Sequence, residues 1–387
     1  MNADIVIVGS GIVGASFALQ LRGHGLRIVL IDPKPVPNAP LDGAFDHRVY
    51  AITPTNMAFL DSLDIFQAQD RARFTAILGM EICADRKSKL DFSARGANRS
   101  ELATMIEHRL LATRLHERLS SADQAPLISR ANPKSIAVAA TNVSIRLDDD
   151  TNISASLLIG ADGGDSWVRN ESGFALSEKD YDQVAVVANF LCERSHGNVA
   201  RQWFIDRNIL AWLPLGEKHI SIVWSVNSER GKVLLELQPA ELCQAVNAAG
   251  ENMLGGMTLV SPVASFPLRS LRSESLVKSQ IALMGDAAHV IHPLAGQGLN
   301  LGLQDALTLA QVLAGKAAME GLGDLAVLRR YERARVEAIV AMHGVTDGLH
   351  WLFASRSKWV SAARGAGLGL TDKLPWLKNL LIARAIG

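Results

Sequence analysis

Short apolar runs and an amphipathic stretch alternate over the first 32 residues. Ile5-Val6-Ile7-Val8 is an unbroken apolar run, which predicts a strand buried on both faces. The apolar spacing over residues 11–22 predicts a helix, and a second apolar run at 27–31 predicts another buried strand that ends at Asp32. The chain is therefore expected to begin with a β-α-β unit of a parallel sheet.

The pattern predicts a return to this sheet late in the chain. Buried strands are predicted at residues 157–159 and 280–284, and a long helix from about Gly298 to Gly315. Helices are also predicted near residues 53–63 and 100–119. Between these parts the pattern is strand-like and predicts an inserted mixed or antiparallel sheet from residues 184–190, 201–205, 209–215, 219–226 and 263–268.

Composition narrows the class of protein. The 387 residues are 48% hydrophobic and 20% charged, which is typical of a globular protein with two or three lobes. The 39 basic residues equal the 39 acidic ones, so nothing indicates a nucleic-acid partner. Asp4 interrupts the apolar start, so no signal peptide is expected. The isolated Cys83, Cys192 and Cys243 favour a reducing, cytoplasmic compartment, and no metal site is expected.

The first chemical motif lies where the first strand turns into the first helix. Gly9 permits a tight turn, Gly11 lets the backbone approach a pyrophosphate, and Gly14 allows helix and strand to pack closely. Asp32 closes the next strand, where a carboxylate can bind ribose hydroxyls. A ligand-free turn is the alternative, but strand, helix and acid together favour a dinucleotide site.

Two further glycine segments follow in a fixed order. Asp162 and Gly163 come directly after a buried strand, at the sheet edge where ligands usually bind, although an Asp-Gly turn alone is common. Asp286 follows a late strand and is placed to bond a polyol chain, and the turn from Pro293 to Gly298 leads into the long helix. The free amides of that helix would stabilise negative charge on a reduced flavin ring. Three such segments predict FAD rather than NAD.

His289 and His292, which follow Asp286, carry two alternative interpretations. Acid–base chemistry is one, and a structural role with bonds to the local backbone is the other, which we favour. Gln297 is open in the same way, as a cofactor contact or as an amide that stabilises its loop.

At this point the chain resembles the single-component FAD-dependent aromatic hydroxylases, the group typified by para-hydroxybenzoate hydroxylase. The run His-Pro-Leu-Ala-Gly-Gln-Gly-Leu-Asn-Leu-Gly from residue 292 and the C-terminal run from Thr346 to Lys378 resemble the branch that hydroxylates ubiquinone precursors. The resemblance spans residues 4–387 and is weakest in the β-rich middle. It implies a Rossmann-like FAD-binding domain of that type, with an inserted β-sheet substrate domain and a helical C-terminus.

The resemblance also implies which residues bind FAD. It assigns the pyrophosphate to Gly9, Gly11 and Gly14, and the adenosine ribose to Asp32, although many relatives have glutamate there. It places Arg48 and Arg99 at the FAD site and gives Asp286 the ribityl chain. The remaining matches are Asp162 and Gly163, in the motif shared by flavin and pyridine-nucleotide binding, and the loop over the flavin ring: Pro293, Gly296, Gln297, Gly298, Leu299 and Asn300.

The implied domain map alternates between two domains. Residues 1–75, 99–180 and 271–345 are expected to form the FAD-binding domain, and residues 76–98 and 181–270 the substrate domain. Residues 346–387 are expected to be a helical segment, where apolar and basic residues suit either a membrane surface or a protein partner.

The implied activity is a monooxygenase reaction. NADH or NADPH would reduce FAD, O2 would add to the reduced ring, and a flavin C4a-hydroperoxide would hydroxylate a prenylated phenol or quinol of ubiquinone biosynthesis. A second glycine fingerprint for NAD(P)H is absent, so a protein electron donor stays open, as do ubiquinone-biosynthesis proteins as partners. No catalytic base is assigned, since spacing alone identifies none and a phenol substrate already donates electrons to its ring.

Two other hypotheses compete. One is a flavoenzyme of the same fold that acts on a soluble phenol, halogenates, or reduces prenyl chains. Ala211-Trp212-Leu213-Pro214 only partly matches the tryptophan element of flavin halogenases. The other is a non-catalytic flavin-binding scaffold subunit, for which a ring-facing loop would be superfluous. The tryptophans at 203, 212 and 224, with Phe204 and Phe266, are interpreted mostly as sheet core.

Overall fold

The structure is a computed structural model, and it describes residues 1–39, 43–84, 88–121, 126–205, 208–292 and 296–354. It contains two large sheets, two small three-stranded sheets and a set of helices. Pro293 and most of the predicted C-terminal segment 346–387 lie outside the described residues.

The strands follow one another in chain order as β1 (Ile5–Val8), β2 (Ile28–Ile31), β3 (Val49–Ile52), β4 (Thr75–Ile77), β5 (Gly79–Ala84), β6 (Ser88–Ser93), β7 (Ala103–Glu107), β8 (Leu127–Ser129), β9 (Pro133–Val138), β10 (Val143–Leu147), β11 (Asn152–Ala155), β12 (Leu157–Gly160), β13 (Leu176–Cys192), β14 (Val199–Ile205), β15 (Asn208–Leu215), β16 (His219–Asn227), β17 (Met257–Leu259), β18 (Ala264–Ser273), β19 (Val277–Lys278), β20 (Ile281–Leu283) and β21 (His289–Val290). The helices are α1 (Ile12–Gln20), α2 (Pro54–Ser62), α3 (His108–Ser120), α4 (Trp167–Glu171), α5 (Ser228–Glu236), α6 (Pro239–Ala249), α7 (Gly298–Ala314) and α8 (Leu325–Ala354).

A six-stranded sheet of order β19-β20-β12-β1-β2-β8 forms the centre of the molecule. Its pairings are parallel, apart from the antiparallel edge strand β19. The register sets Ile7 between Ile159 of β12 and Leu30 of β2, and all three side chains are fully buried. The predicted opening β-α-β unit and the late return to the sheet are therefore confirmed. α1 packs against α3 and α7, and α7 packs against α8.

A nine-stranded sheet runs β21-β18-β13-β16-β15-β14-β5-β6, with β17 attached to β13. It is mixed, as predicted, because β14 pairs in parallel with β5 while its other pairings are antiparallel. One face carries Trp203, Trp212 and Trp224 into a core with residues of α5 and α6. The interpretation of these tryptophans as sheet core is confirmed, whereas Phe266 is 43% exposed.

A small antiparallel sheet, β3-β7-β4, lies between the two large ones. Its strand residues alternate in their packing: Ile52 and Ile106 join the core of the six-stranded sheet, while Met105 packs with Leu215 of the nine-stranded sheet. The predicted helix over residues 100–119 is wrong in its first part, since β7 occupies Ala103–Glu107 and α3 starts only at His108. The apolar spacing there fits a helix as well as a strand, and the pairing with distant β3 decides between them. The predicted domain boundaries stay a prediction.

Replacing Ile7 with alanine should destabilise the apo-protein by roughly 2–5 kcal/mol, because a fully buried side chain of the central strand would leave a cavity. Replacing Val138, which is 52% exposed on β9, with alanine should change the free energy of unfolding by no more than about 0.5 kcal/mol. Urea denaturation of the two variants measures the difference. Equal destabilisation would contradict the central position of β1.

Candidate functional site

The predicted motifs lie at one edge of the six-stranded sheet. β20, β12, β1 and β2 are consecutive in that sheet and mutually parallel, so their carboxyl ends share an edge. Asp286, Asp162, Gly9 and Asp32 follow these four strands in that order. Neighbouring strands are about 4.8 Å apart, so the row spans roughly 15 Å across its three gaps. The sheet therefore places the three glycine segments in the continuous row that an elongated dinucleotide requires.

Gly9 and Gly14 are required by close packing within the protein. Gly9 has a φ of +99°, and a Cβ there would lie 2.3 Å from the carbonyl oxygen of Ala161. A Cβ on Gly14 would lie 2.0 Å from the carbonyl oxygen of Gly9. Both distances are far inside van der Waals contact. These two glycines thus bring α1, β1 and the Asp162 loop together, as the sequence predicts for the tight turn and for helix packing.

Gly11 differs from Gly9 and Gly14 because no packing contact within the described protein requires a glycine there. Its φ of −63° suits any residue, and a Cβ there would meet no heavy atom within 4 Å. Gly11 is the N-cap of α1, whose first turn has no side-chain cap and no acidic residue. Its amides are therefore unpaired donors at the positive end of the helix dipole. An open approach to free amides fits a pyrophosphate.

Asp32 is held in place by its own turn. One carboxylate oxygen accepts the Ser10 peptide N–H and the Ser10 hydroxyl, both at 2.8 Å. The other accepts the peptide N–H of Lys34 at 3.0 Å. The side chain is half-buried, so part of it stays open at the strand end. The geometry fixes the carboxylate beside the Gly9–Gly14 turn, and its ribose role stays a prediction.

Asp162 contacts the start of α4. Its carboxylate accepts the Ser166 hydroxyl at 2.5 Å and the Val168 peptide N–H at 3.0 Å, and burial raises its pKa. Gly163, next in the chain, has a φ of +86°, a conformation that favours glycine. The Asp162 side chain thus stabilises α4, and a direct role for it in cofactor binding stays a prediction.

Asp286 and Arg48 are charged groups at the far end of the row that form no ion pair with any described residue. Within the described part of the chain, the Asp286 carboxylate makes no hydrogen bond or ion pair, and its side chain is exposed. Neighbouring protein groups remove part of the hydration of this carboxylate, which raises its pKa against the opposing charges of His289 and Arg48. The Arg48 guanidinium lies 5.5 Å from the ring centre of Tyr50 and shares a side-chain hydrogen bond with the Tyr50 hydroxyl, and none of the described carboxylates pairs with it. The Asp286 carboxylate is therefore available to a ligand, and no described carboxylate neutralises the charge of Arg48.

A buried charge network that the sequence did not indicate holds the Asp286 segment. The fully buried Asp305 carboxylate of α7 pairs with His289 Nε2 at 2.6 Å and with Arg335 Nε of α8 at 2.7 Å, and it accepts the Gly285 peptide N–H at 3.0 Å. These partners lower the pKa of Asp305 in spite of its burial. His289 is therefore structural, but its partner is Asp305 and not the local backbone, which corrects that detail of the prediction. His289 and Arg335 lie 16 and 30 residues away from Asp305, so spacing along the chain gave no signal.

The described part of the predicted ring loop leads into α7. Gly296 has a φ of +59°, Gln297 precedes the helix, and Gly298 and Leu299 begin it. The first turn of α7 contains no acidic residue, so its amides face no competing carboxylate of their own helix. This arrangement suits an anionic ring edge.

Asn300 uses its side chain inside the protein. Its Oδ1 accepts the Thr53 peptide N–H at 3.0 Å and Asn56 Nδ2 at 2.9 Å, while its Nδ2 donates to the Ala51 carbonyl at 2.8 Å. The side chain therefore ties the start of α7 to the end of β3 and the start of α2. Only the backbone of Asn300 remains for the predicted cofactor contact.

The structure does not connect Arg99 with the other predicted residues. It is exposed in the loop after β6, where its peptide N–H donates to the Ala94 carbonyl at 2.9 Å. None of the described hydrogen bonds or ion pairs involves its guanidinium. Its place at the FAD site stays a prediction.

A mostly parallel sheet with glycine segments along its carboxyl edge, together with a second large sheet, defines the class of protein: a flavin-dependent monooxygenase fold. The profile of the FAD-binding-domain family matches residues 2–344. The chain belongs to this family of FAD-binding monooxygenases, and it is an FAD-dependent monooxygenase of the hydroxylase type.

Curated relatives match over nearly the full length. The chain is 32% identical over 388 residues to "Ubiquinone hydroxylase UbiL" of Rhodospirillum rubrum, covering 100% of this chain and 90% of the relative. It is 30% identical over 430 residues to "Ubiquinone biosynthesis monooxygenase COQ6, mitochondrial" of Drosophila melanogaster, covering 99% and 90%. It is 29% identical over 396 residues to "3-demethoxyubiquinol 3-hydroxylase" of Escherichia coli, covering 99% and 98%.

Solved structures share the fold. PqsL of Pseudomonas aeruginosa, a probable FAD-dependent monooxygenase, superimposes with a TM-score of 0.77 at 21% identity, covering 96% of this chain and 100% of that one. The p-nitrophenol 4-monooxygenase PnpA of Pseudomonas putida gives 0.76 at 16% identity, covering 100% and 99%. The predicted α/β fold of the para-hydroxybenzoate hydroxylase type is confirmed.

Gly9→Ala and Gly11→Ala should fail in different ways. The Gly9 methyl would collide with the Ala161 backbone at 2.3 Å, so apo-protein stability should fall. The Gly11 methyl meets only open space, so apo-protein stability should hold while FAD affinity falls roughly tenfold or more. Thermal melts and FAD fluorescence titration separate the two effects. A Gly11 variant with wild-type FAD affinity would remove the pyrophosphate assignment.

Asp305→Asn should destabilise the protein by about 3–5 kcal/mol, because Arg335 would lose its buried counter-charge. The lowered pKa of Asp305 also predicts a pH effect. Its contribution is present above the ordinary carboxyl pKa of about 4 and is lost as the pH falls below that value. Urea midpoints between pH 3 and 6 should therefore converge for wild type and variant at the acid end. Asp149→Asn, at an exposed turn, is the control.

Proposed function

We propose that this chain hydroxylates the aromatic ring of a prenylated phenol or quinol in ubiquinone biosynthesis. The observation that carries the proposal is full-length likeness near 30% identity to three proteins whose names each refer to ubiquinone or ubiquinol hydroxylation or biosynthesis. The likeness includes both large sheets and the groove, since it covers 99% or more of this chain in each case.

The groove residues have distinct tasks in this proposal. Gly11 and the first amides of α1 would hold the FAD diphosphate, Asp32 the adenosine ribose, and Asp286 the ribityl chain. When bound, FAD supplies the electron transfer and oxygen activation that side chains lack. The α7 amides, at Gly298 and Leu299, would favour negative charge at the ring edge. NADH or NADPH is the proposed reductant and O2 the oxidant.

The nine-stranded sheet offers a wall for the substrate. Strand alternation directs Ile222 and Trp224 of β16 into the tryptophan core, so Ser221, Val223 and Ser225 face the opposite side. That side also carries Val187 of β13. A mixed apolar and hydroxyl surface suits a phenol ring with an apolar tail. Position and water exclusion are the protein's proposed contributions, and no general base is assigned.

A substrate with an apolar prenyl tail is expected to reside in a membrane, so the protein must reach it there. None of the helices in the described ranges has the length and apolar content needed to cross a membrane. We propose peripheral contact with a membrane surface or with other ubiquinone-biosynthesis proteins, made through residues 346–387. Beyond Ala354 this segment lies outside the described residues.

Deletion of the gene should cause an under-hydroxylated prenylphenol to accumulate and ubiquinone to fall. The wild-type chain should restore ubiquinone, while Asp286→Ala should restore much less, because the ribityl position would lose its carboxylate. Glu236→Ala, at an exposed end of α5, is the matched control. Extraction of quinones with mass spectrometry measures all four strains.

Unchanged quinones in a deletion strain without redundant hydroxylases would reject the ubiquinone assignment. Oxygen uptake by the purified protein with FAD, NADH or NADPH, and soluble phenols would then test the alternative substrate class. Product formation from a soluble phenol but not from a prenylphenol would favour that alternative.

A further inference from the structure

A tyrosine and a histidine share the groove-side face of the small β3-β7-β4 sheet. Tyr50 of β3 pairs with Ile106 of β7, and His108 follows two residues later at the start of α3. Alternation gives Tyr50 and Ile52 one direction along β3, and the guanidinium of Arg48, just before the strand, lies over the Tyr50 ring. Ile52 and Ile106 join the core of the six-stranded sheet and Tyr50 packs against it, so this face is turned to the FAD-binding part of the fold.

The pair is directly bonded and lies among the groove's charged groups. The Tyr50 hydroxyl is 3.1 Å from His108 Nδ1, and the two rings meet edge-on with centres 5.9 Å apart. The Arg48 guanidinium lies over the Tyr50 ring and shares a side-chain hydrogen bond with the Tyr50 hydroxyl, and the charge of Asp286 is close enough to act on that hydroxyl. These contacts place the pair between a cation and a carboxylate that form no ion pair with any described residue.

Both members of the pair are neutral at neutral pH. Burial raises the pKa of Tyr50 to about 12, against the opposing charge of Arg48. Burial and the charge of Arg48 lower the pKa of His108 to about 4. A neutral imidazole has one N–H, so two arrangements exist: Tyr50 donates to Nδ1, or Nδ1–H donates to the Tyr50 oxygen. The second leaves the tyrosine O–H free to donate elsewhere.

We propose that Tyr50 is a further ligand of the FAD diphosphate, donating its hydroxyl to a phosphate oxygen, and that His108 is a positioning residue that orients this hydroxyl through Nδ1–H. An anion beside Arg48 would favour the arrangement in which Tyr50 donates outward. A neutral donor also adds no charge next to Asp286, which must remain available to the ribityl chain. His108 touches no cofactor atom and acts only through Tyr50.

Tyr50→Phe should weaken FAD binding to the apo-protein roughly ten- to a hundredfold, since it removes a hydrogen bond to a charged acceptor. It should also weaken ADP as a competitor of FAD, because ADP carries the diphosphate without the flavin. Fluorescence titration measures both. Tyr181→Phe is the matched control, since it removes a hydroxyl bonded to Asp347. It should leave both affinities unchanged.

The positioning role of His108 is tested by asking whether its effect on FAD binding depends on Tyr50. His108→Leu should weaken FAD binding several-fold, and His108→Asn, which keeps an N–H donor, should recover part of the loss. In the Tyr50→Phe background, His108→Leu should have no further effect. Thermal melts of the apo-variants distinguish this role from a merely structural one. A structural role of His108 would lower the melting temperature of the His108→Leu variant whether or not Tyr50 is present.

Three results would overturn the proposal: unchanged FAD affinity in Tyr50→Phe, a loss for FAD with none for ADP, or additive effects of the two substitutions. The second would place the Tyr50 contact on the flavin half of the cofactor. Every readout is cofactor binding, so a failed substrate assignment would leave the outcome untouched.

Discussion

The segment that carries Asp286 depends on a buried carboxylate, Asp305 of helix α7. Asp305 joins the peptide N–H of Gly285, the ring of His289 and the guanidinium of Arg335, with no exposure to solvent. A charge this deep is tolerable only while its partners remain, because desolvation would otherwise dominate. The network therefore fixes the backbone immediately before Asp286 and links it to α7 and α8 at once. The position of the exposed Asp286 carboxylate is therefore set by the buried Asp305 carboxylate behind it.

Along this edge of the sheet, some motif residues pack against the protein and others remain exposed. Gly9 and Gly14 are needed for close packing, whereas Gly11 faces open space. The Asp162 side chain stabilises α4, and that of Asn300 ties α7 to β3, while the Asp286 carboxylate keeps no hydrogen-bond or ion-pair partner among the described residues. A motif residue is thus not always a ligand. Motif residues that pack within the protein shape this edge of the sheet as much as the motif residues that remain exposed.

Strand alternation gives the two faces of the nine-stranded sheet different side chains. One face buries the tryptophans with residues of α5 and α6, and the other carries smaller and more polar side chains such as Ser221 and Ser225, which are also buried. Because the period of a strand is two, neighbouring residues of one strand contribute to opposite faces. The tryptophan core and the polar face are therefore built from the same strands.

The sequence by itself determined the parallel sheet, the order of the glycine segments and the cofactor class, because each depends on local pattern: apolar runs, turn glycines and a carboxylate at a strand end. It failed where distant partners decide. β7 was predicted as helix, since its spacing fits both periods and only pairing with β3 selects the strand. The bonds of Asp305 to Arg335 and of Tyr50 to His108 join residues 30 and 58 positions apart. Such contacts are created by packing, so only the tertiary structure could reveal them.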